Sequence, residues 1–250
     1  MKLLAFELAT EACSVALWID GEVRERFEVA PRRHAELALP WTDTLLAEAG
    51  VAKSQLDAIA LGCGPGAFTG VRLAIAIGQG IALALDRPIV PVSTLAALAA
   101  SLPLPPTGEG RGEGVPARRV LAAIDARMGE VYSAAFELRD GDAIALDSET
   151  VGTPDTVQVP DGGDDWRGVG TGFGACDGAL SDRLSGRLQS IDATALPHAG
   201  DVARLAALAF RRGEAAAPER VEPAYLRNNV ALTIREQQAL RDARDGLRPA

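Results

Sequence analysis

Two carboxylates and one glycine-rich turn have the residue types and spacing to do chemistry in this chain. Glu7 lies at the end of the apolar run Leu3 to Leu8, and Asp125 at the end of Val120 to Ala126. On the tips of facing strands such a pair could hold a water or a Mg²⁺ at a nucleotide phosphate, although each acid alone also suits a solvated turn. The stretch Gly62-Cys63-Gly64-Pro65-Gly66-Ala67-Phe68-Thr69-Gly70-Val71-Arg72 lies between the apolar runs Leu56 to Leu61 and Leu73 to Leu85. It reads as strand, turn and helix, with Thr69 as the expected N-cap. Its glycines tolerate φ > 0, and its N–H groups could meet an anion. The nucleotide-facing candidates are therefore Glu7, Thr10, Gly64, Gly66 and Asp125, joined by Gly170 and Gly172 from a second glycine turn.

Spacing excludes the commoner explanations. A P-loop needs Gly-Lys-Ser/Thr after its first glycine, and no lysine is near. Gly62, Gly64 and Ala67 fit a dinucleotide fingerprint, but Asp86 precedes the next apolar run instead of closing it. His34 has Ala38 at i+4, so no histidine pair forms on that helix face, and Cys13, Cys63 and Cys176 lack CxxC spacing. Neither a metal nor a disulfide framework is expected. Cys63 has no histidine beside it and Gly-x-Ser-x-Gly is absent, which leaves a nucleophilic hydrolase little support. No resident cofactor is expected.

The chain has 250 residues, enough to bury a large core. Its net charge of −9 and aromatic content of 4% argue against it being the main grip on nucleic acid. Glu7 and Glu11 interrupt the first apolar run before it could act as a signal sequence, so a soluble protein in a reduced, cytoplasmic setting is expected.

The elements that must position these residues follow from the pattern. Leu3 to Leu8, Ser14 to Ile19 and Glu22 to Val29 are expected strands, the last two joined at Asp20-Gly21. Pro31 to Ala49 is an expected helix with Ala35, Leu39, Leu45 and Leu46 on its apolar side. In the next helix Gly70, Ala74, Gly78 and Ala82 recur every four residues, a row that suits close packing inside its own lobe or against another chain. With Arg72, this row is the expected partner interface. Further strands are expected at Ile89 to Val92, Glu130 to Leu138 and Trp166 to Val169, and helices at Leu95 to Leu102, Ala175 to Leu188, Asp201 to Phe210 and Thr233 to Arg244.

Residues 103–116 hold four prolines and four glycines and read as a loop between domains. The pattern then restarts. Leu4 to Glu7 lies over Ala122 to Asp125, and Ser14 to Leu17 over Tyr132 to Ala135, both at a shift of 118, while Gly62-Cys63-Gly64 lies over Gly170-Thr171-Gly172 at 108. An α/β chain of two like units is expected, with lobes at 1–102 and 117–232 and a tail at 233–250.

Taken together, Leu4 to Ser14, Gly62 to Arg72, Val92 to Leu95, Val120 to Tyr132, Val169 to Gly172 and Glu222 to Asn229 closely resemble the TsaB (YeaZ) family. The resemblance implies the actin/sugar-kinase/Hsp70-like fold, in which two ribonuclease H-like lobes each carry a mixed sheet flanked by helices. It also implies a non-catalytic role in making threonylcarbamoyladenosine on tRNA beside the anticodon. There a paralogue, TsaD, binds metal through a His-x-x-x-His helix and transfers the group, and TsaE supplies ATPase function. The implied partners are TsaD, TsaE, a second copy of the free chain, and tRNA only through the complex, with no membrane. ATP or ADP with Mg²⁺ would bind only at a partner interface. Two departures stand out: Glu7-Leu8 replaces the family's usual Asp-Thr, and the 103–116 insertion is often missing in relatives. The alternative class is a stand-alone ATPase, kinase or peptidase of the same fold.

Overall fold

The computed structural model describes residues 1–102, 118–161 and 165–227. The proline- and glycine-rich stretch 103–116 and the expected helix after 232 lie outside the described residues.

A first sheet holds β1 (Lys2–Glu7), β2 (Ala12–Ile19), β3 (Glu22–Val29), β4 (Ala58–Gly62) and β5 (Ile89–Val92), in the order β3-β2-β1-β4-β5. β1, β2 and β3 form an antiparallel meander, and β4 and β5 run parallel to β1. The turn between β2 and β3 falls at Asp20-Gly21, both at positive φ, as the dipeptide predicts. α1 (His34–Ala49) joins β3 to β4, α2 (Phe68–Leu85) joins β4 to β5, and α3 (Thr94–Ala100) follows. Ser93 caps α3 by accepting the Ala96 N–H at 3.1 Å.

The second sheet repeats this scheme. It contains β6 (Arg118–Arg127), β7 (Glu130–Arg139), β8 (Asp142–Ala145), β9 (Thr150–Gly152), β10 (Trp166–Val169) and β11 (Leu188–Asp192). Its order is β11-β10-β6-β7-β8, with β9 also on β7. Again three antiparallel strands lead into two parallel ones. The two expected hairpins therefore lie in separate sheets, as a duplicated unit requires. The expected helix Ala175 to Leu188 shrinks to α4 (Ala179–Leu184) after two short 3₁₀ turns, and Asp177 at φ 57 breaks it. α5 (Ala199–Arg211) closes the second half.

The repeat is one residue out of step. Ala5 pairs with Ala16 in the first hairpin and Ala122 with Ala134 in the second, so the first strand carries a shift of 117 and the second 118. Because successive strand residues face opposite ways, that single residue decides which side each tip presents. Leu3 and Ala5 join the core shared between the sheets, and Glu7 follows them by alternation. On β6 it is Val120, Ala122 and Ile124 that do so, and Asp125 shares the other face with Leu121 and Ala123.

Between the sheets lies a helix pair that has changed sides. α3 packs on β6, β7 and β8, α5 packs on β1, β2, β4 and β5, and the two helices touch. Each half's last helix covers the other half's sheet. The layer is thin because its facing residues are largely alanine, among them Ala97, Ala99, Ala203 and Ala206. α1 and α2 lie on the outer side of the first sheet, over Leu4, Phe6, Leu17 and Leu61.

Two helix faces differ from expectation. α1 begins at His34, after a turn in which Arg32 takes φ 69, and buries His34, Ala38, Thr42, Leu45 and Leu46. Ala35 and Leu39 point to solvent, one step round the helix from the buried stripe. In α2 the small-residue row faces inward, which corrects its assignment to a partner surface. A Cβ on Gly70 would lie 1.9 Å from the Leu8 carbonyl oxygen and one on Gly78 2.5 Å from Leu61 Cδ2, and Ala74 and Ala82 are fully buried. α2 is also the one helix among the described residues long and apolar enough to cross a membrane, and this inner row instead seats it on the sheet.

A polar clasp fixes the start of α5 to the first sheet. Glu25 of β3 accepts hydrogen bonds from the Ser14 hydroxyl at 2.6 Å, the Gly200 N–H at 3.0 Å and His198 Nδ1 at 3.2 Å. The His198 ring stacks on Phe27 with centroids 4.1 Å apart. The bond to Glu25 raises the imidazole pKa above its usual 6.5, outweighing partial burial, and Asp201 and Arg204 stand nearby with opposing effects. Burial alone would raise Glu25, but its three donors hold it below the usual carboxylate range.

Two outcomes follow. Gly78→Leu should destabilise folding by about 1 to 3 kcal/mol through overpacking against Leu61, read as a lowered thermal midpoint. The imidazolium's contribution is complete below 6.5 and is lost as pH rises through the higher folded value. The unfolding midpoint should therefore fall as pH rises above about 6.5, and His198→Gln should remove that part of the slope; an unchanged slope would count against the clasp.

Candidate functional site

The tips of β1 and β6, the start of α2 and the segment 223–227 enclose a cleft of about 800 Å³ between the two halves. Thr10 and Glu11 line it after β1, Gly66 to Leu73 at the start of α2, and Ile124 to Arg127 at the tip of β6. Arg32, His34, Tyr132 and Thr171 also line it.

Of the expected nucleotide-facing residues, Thr10, Gly66 and Asp125 open on this cleft. The Thr10 carbonyl accepts His34 Nε2 at 3.0 Å and the Ala12 carbonyl does so at 3.1 Å, so Nε2 carries the proton. His34 thus ties the β1–β2 turn to α1. Asp125 accepts from both the backbone N–H and the guanidinium of Arg127 at 2.8 Å.

Glu7, Gly64, Gly170 and Gly172 do not face the cleft, which corrects their assignment. Glu7 is 1% exposed and turns toward Thr94 of α3, the consequence of the register difference between β1 and β6. Gly64 opens behind the turn on a small hollow beside Ser93, Glu149 and Glu222. A Cβ on Gly170, at φ 109, would lie 2.3 Å from the Ala123 carbonyl oxygen, and one on Gly172 2.8 Å from Ala123 Cβ. These two glycines let the turn press against β6.

The first glycine turn is likewise built for packing. Three of its N–H groups are spent internally: Cys63 on Val92 O at 2.9 Å, Gly64 on Thr94 Oγ1 at 3.2 Å, and Ala67 on Ala9 O at 2.6 Å. Nor does Thr69 cap α2, because the helix starts at Phe68, with Ala67 at the cap position and no side-chain bond.

Sequence reasoning gave no role to the strap that follows α5. Ala216 exchanges two backbone bonds with Ile89, the Gln79 side chain donates to Pro218 O at 2.8 Å and Val221 O at 3.2 Å, and Ala224 N–H donates to Cys63 O at 2.8 Å. The strap then crosses to the other half. Arg227 donates to Ala126 O at 3.2 Å and pairs with Glu130 beside the β6–β7 turn. At the near side Arg72 bonds the Tyr225 hydroxyl, its guanidinium carbon lying 3.1 Å from the Phe68 ring centroid and 4.9 Å from that of Tyr225. Arg72, expected at a partner interface, holds the strap. Gln79, with Arg72 one of two polar residues beyond the first two positions of an apolar helix, was the available signal.

Two sheets of this repeated topology, joined about a cleft at their strand tips, define the two-lobed actin/sugar-kinase/Hsp70-like class. Residues 27–234 match the family model described as "TsaD: tRNA N6-adenosine threonylcarbamoyltransferase". The tRNA threonylcarbamoyladenosine biosynthesis protein TsaB of Escherichia coli K12 is 43% identical, covering 92% of this chain and 96% of its own. The TsaB protein of Haemophilus influenzae is 36% identical, with 92% and 95% covered. A solved structure described as YeaZ from Pseudomonas aeruginosa overlays with a TM-score of 0.80 at 47% identity, covering 90% of this chain and 99% of that one. The chain belongs to the TsaB (YeaZ) family, inside the wider family of the matched TsaD model.

A double-mutant cycle on Arg72→Ala and Tyr225→Ala should return a coupling of about 0.5 to 1 kcal/mol in unfolding free energy, as a stacked cation at a half-exposed site gives. Additive effects would mean that the strap is held elsewhere.

Proposed function

We propose that this chain is a non-catalytic scaffold of the machinery that forms threonylcarbamoyladenosine on tRNA beside the anticodon, acting by docking a TsaD paralogue. The outer face of α2 carries this reading. Ala76, Gly80, Leu83 and Ala84 are exposed there, Leu83 at 62%, and a Cβ on Gly80 would meet nothing within 4 Å. An apolar helix face with a glycine at its centre lets another helix approach closely. The docking face is thus the opposite side of α2 from the inward row, on the lobe formed by residues 1–102.

The side-chain chemistry supports a scaffold over a stand-alone enzyme. Among the described residues no group of three or more His, Cys, Asp or Glu could hold a metal ion. Burial pushes the thiols of Cys13 and Cys63 up to about 12, so neither is a ready nucleophile. One Pseudomonas aeruginosa structure is described as similar to peptidase YEAZ, but in this chain His34 is bound to backbone carbonyls and His198 to Glu25. The charge of −9 leaves the grip on tRNA to partners. In this reading a TsaE ATPase joins the TsaD-bound chain in the cytoplasm, away from any membrane. ATP or ADP with Mg²⁺ binds only where a partner completes the cleft, and the free chain pairs with a second copy through the same α2 face.

Leu83→Glu should weaken association with a TsaD paralogue, or with a second copy, by about tenfold or more while the thermal midpoint barely moves. Sedimentation beside a thermal melt checks this. Unchanged assembly for Leu83→Glu, with loss of assembly for a variant on another face, would overturn the docking assignment.

A further inference from the structure

Glu7 is a buried carboxyl at the meeting point of three elements, and the scaffold reading makes no use of it. Oε1 accepts the Ala9 N–H at 2.7 Å, and Oε2 accepts the Thr94 hydroxyl at 3.0 Å. Thr94 Oγ1 in turn accepts the Gly64 N–H at 3.2 Å, while the Thr94 N–H donates to Gly64 O at 2.8 Å. The glutamate side chain passes over Gly62, where a Cβ would fall 1.9 Å from Oε2. Only glycine leaves room for this longer acid.

No cation accompanies it: among the described residues no lysine, arginine or histidine bonds to Glu7 or shifts its ionisation. The titratable group facing it is the Cys63 thiol, itself pushed up to about 12 by burial and then by Glu7. The elements packed around the carboxyl contribute otherwise Ala9, Gly62 and Thr94. Burial raises Glu7 from 4.5 to about 7 against the donors at Ala9, Thr94 and Leu8, so both protonation states are populated near neutrality.

We propose that Glu7, Thr94 and Gly64 form a proton-responsive latch beneath the glycine turn. With Glu7 ionised, Thr94 gives its single hydroxyl hydrogen to Oε2 and receives the Gly64 N–H. When Glu7 takes a proton from solvent, the carboxyl becomes the donor and the Glu7–Thr94 bond reverses. Thr94 Oγ1 then accepts from both Glu7 and Gly64, and its own hydrogen rotates away. The hold on Gly64 changes with it, four residues before α2 begins at Phe68. The latch is a property of the chain alone and does not depend on which partner docks.

The test follows the Glu7 carboxyl carbon and the Gly64 amide of the full-length protein by NMR across pH. Both should titrate together with a midpoint of about 7. In Thr94→Val the Gly64 amide should no longer follow, and the Glu7 midpoint should rise because one donor to the ionised form is gone. In Glu7→Gln the Gly64 shift should stay flat between about pH 5 and 9. A Glu7 midpoint near 4.5, or a Gly64 amide that ignores the Glu7 transition in the wild type, would overturn the latch. If Glu7→Gln does not fold, the wild type and Thr94→Val decide the question.

Discussion

The layer made by α3 and α5 constrains everything around it, because one pair of helices has to satisfy two sheets at once. Burying apolar area is the main favourable term in folding, and here the area on the inner face of each sheet is covered by the helix from the other half. Neither sheet can keep its inner face dry without both halves present. The alanine-rich composition of the layer follows from that geometry, since larger side chains would push the sheets apart and open the polar clasp at Glu25 and His198.

This arrangement fixes the cleft. With the two sheets held at one spacing, the tips of β1 and β6 sit at one distance, and the strap from Ala216 to Arg227 can span them with bonds at each end. The strap also meets Gln79 and Arg72, so these two polar residues of α2 are spent on the chain itself. What remains on the outer side of that helix is apolar. The same element therefore contributes to the core, the cleft and the free surface through three different faces, and the small-residue row belongs to the first of these.

Much of this organisation is legible in the sequence. The hairpins, the Asp20-Gly21 turn, the Ser93 cap and the duplication follow from turn chemistry and period-2 patterns, which act locally. The family followed from motifs. The inward or outward sense of the α2 row was not legible, because a row of glycine and alanine says that something comes close without saying what. Leu61 and the Leu8 carbonyl supply the answer only in three dimensions. The short strands β8, β9 and β11 have too few residues to show a period, and the exchange of α3 and α5 between sheets leaves no local signal at all.

The two carboxylates show how a correct motif can carry a wrong role. Glu7 and Asp125 end equivalent strands, and a search by offset matches them, yet one residue of register places them on opposite faces. Asp125 stays in contact with solvent and pairs with Arg127 at the cleft, whereas Glu7 is drawn under the glycine turn with no cation beside it. A fully ionised acid in that place would be costly, and the donors at Ala9, Thr94 and Leu8 offset only part of the desolvation. The glycine at position 62 is what makes the arrangement sterically feasible, so the unusual acid and that glycine form one structural unit. In this chain the strand-tip carboxylate of the first lobe faces the layer between the sheets instead of the cleft, where it meets the Thr94 hydroxyl and no cation.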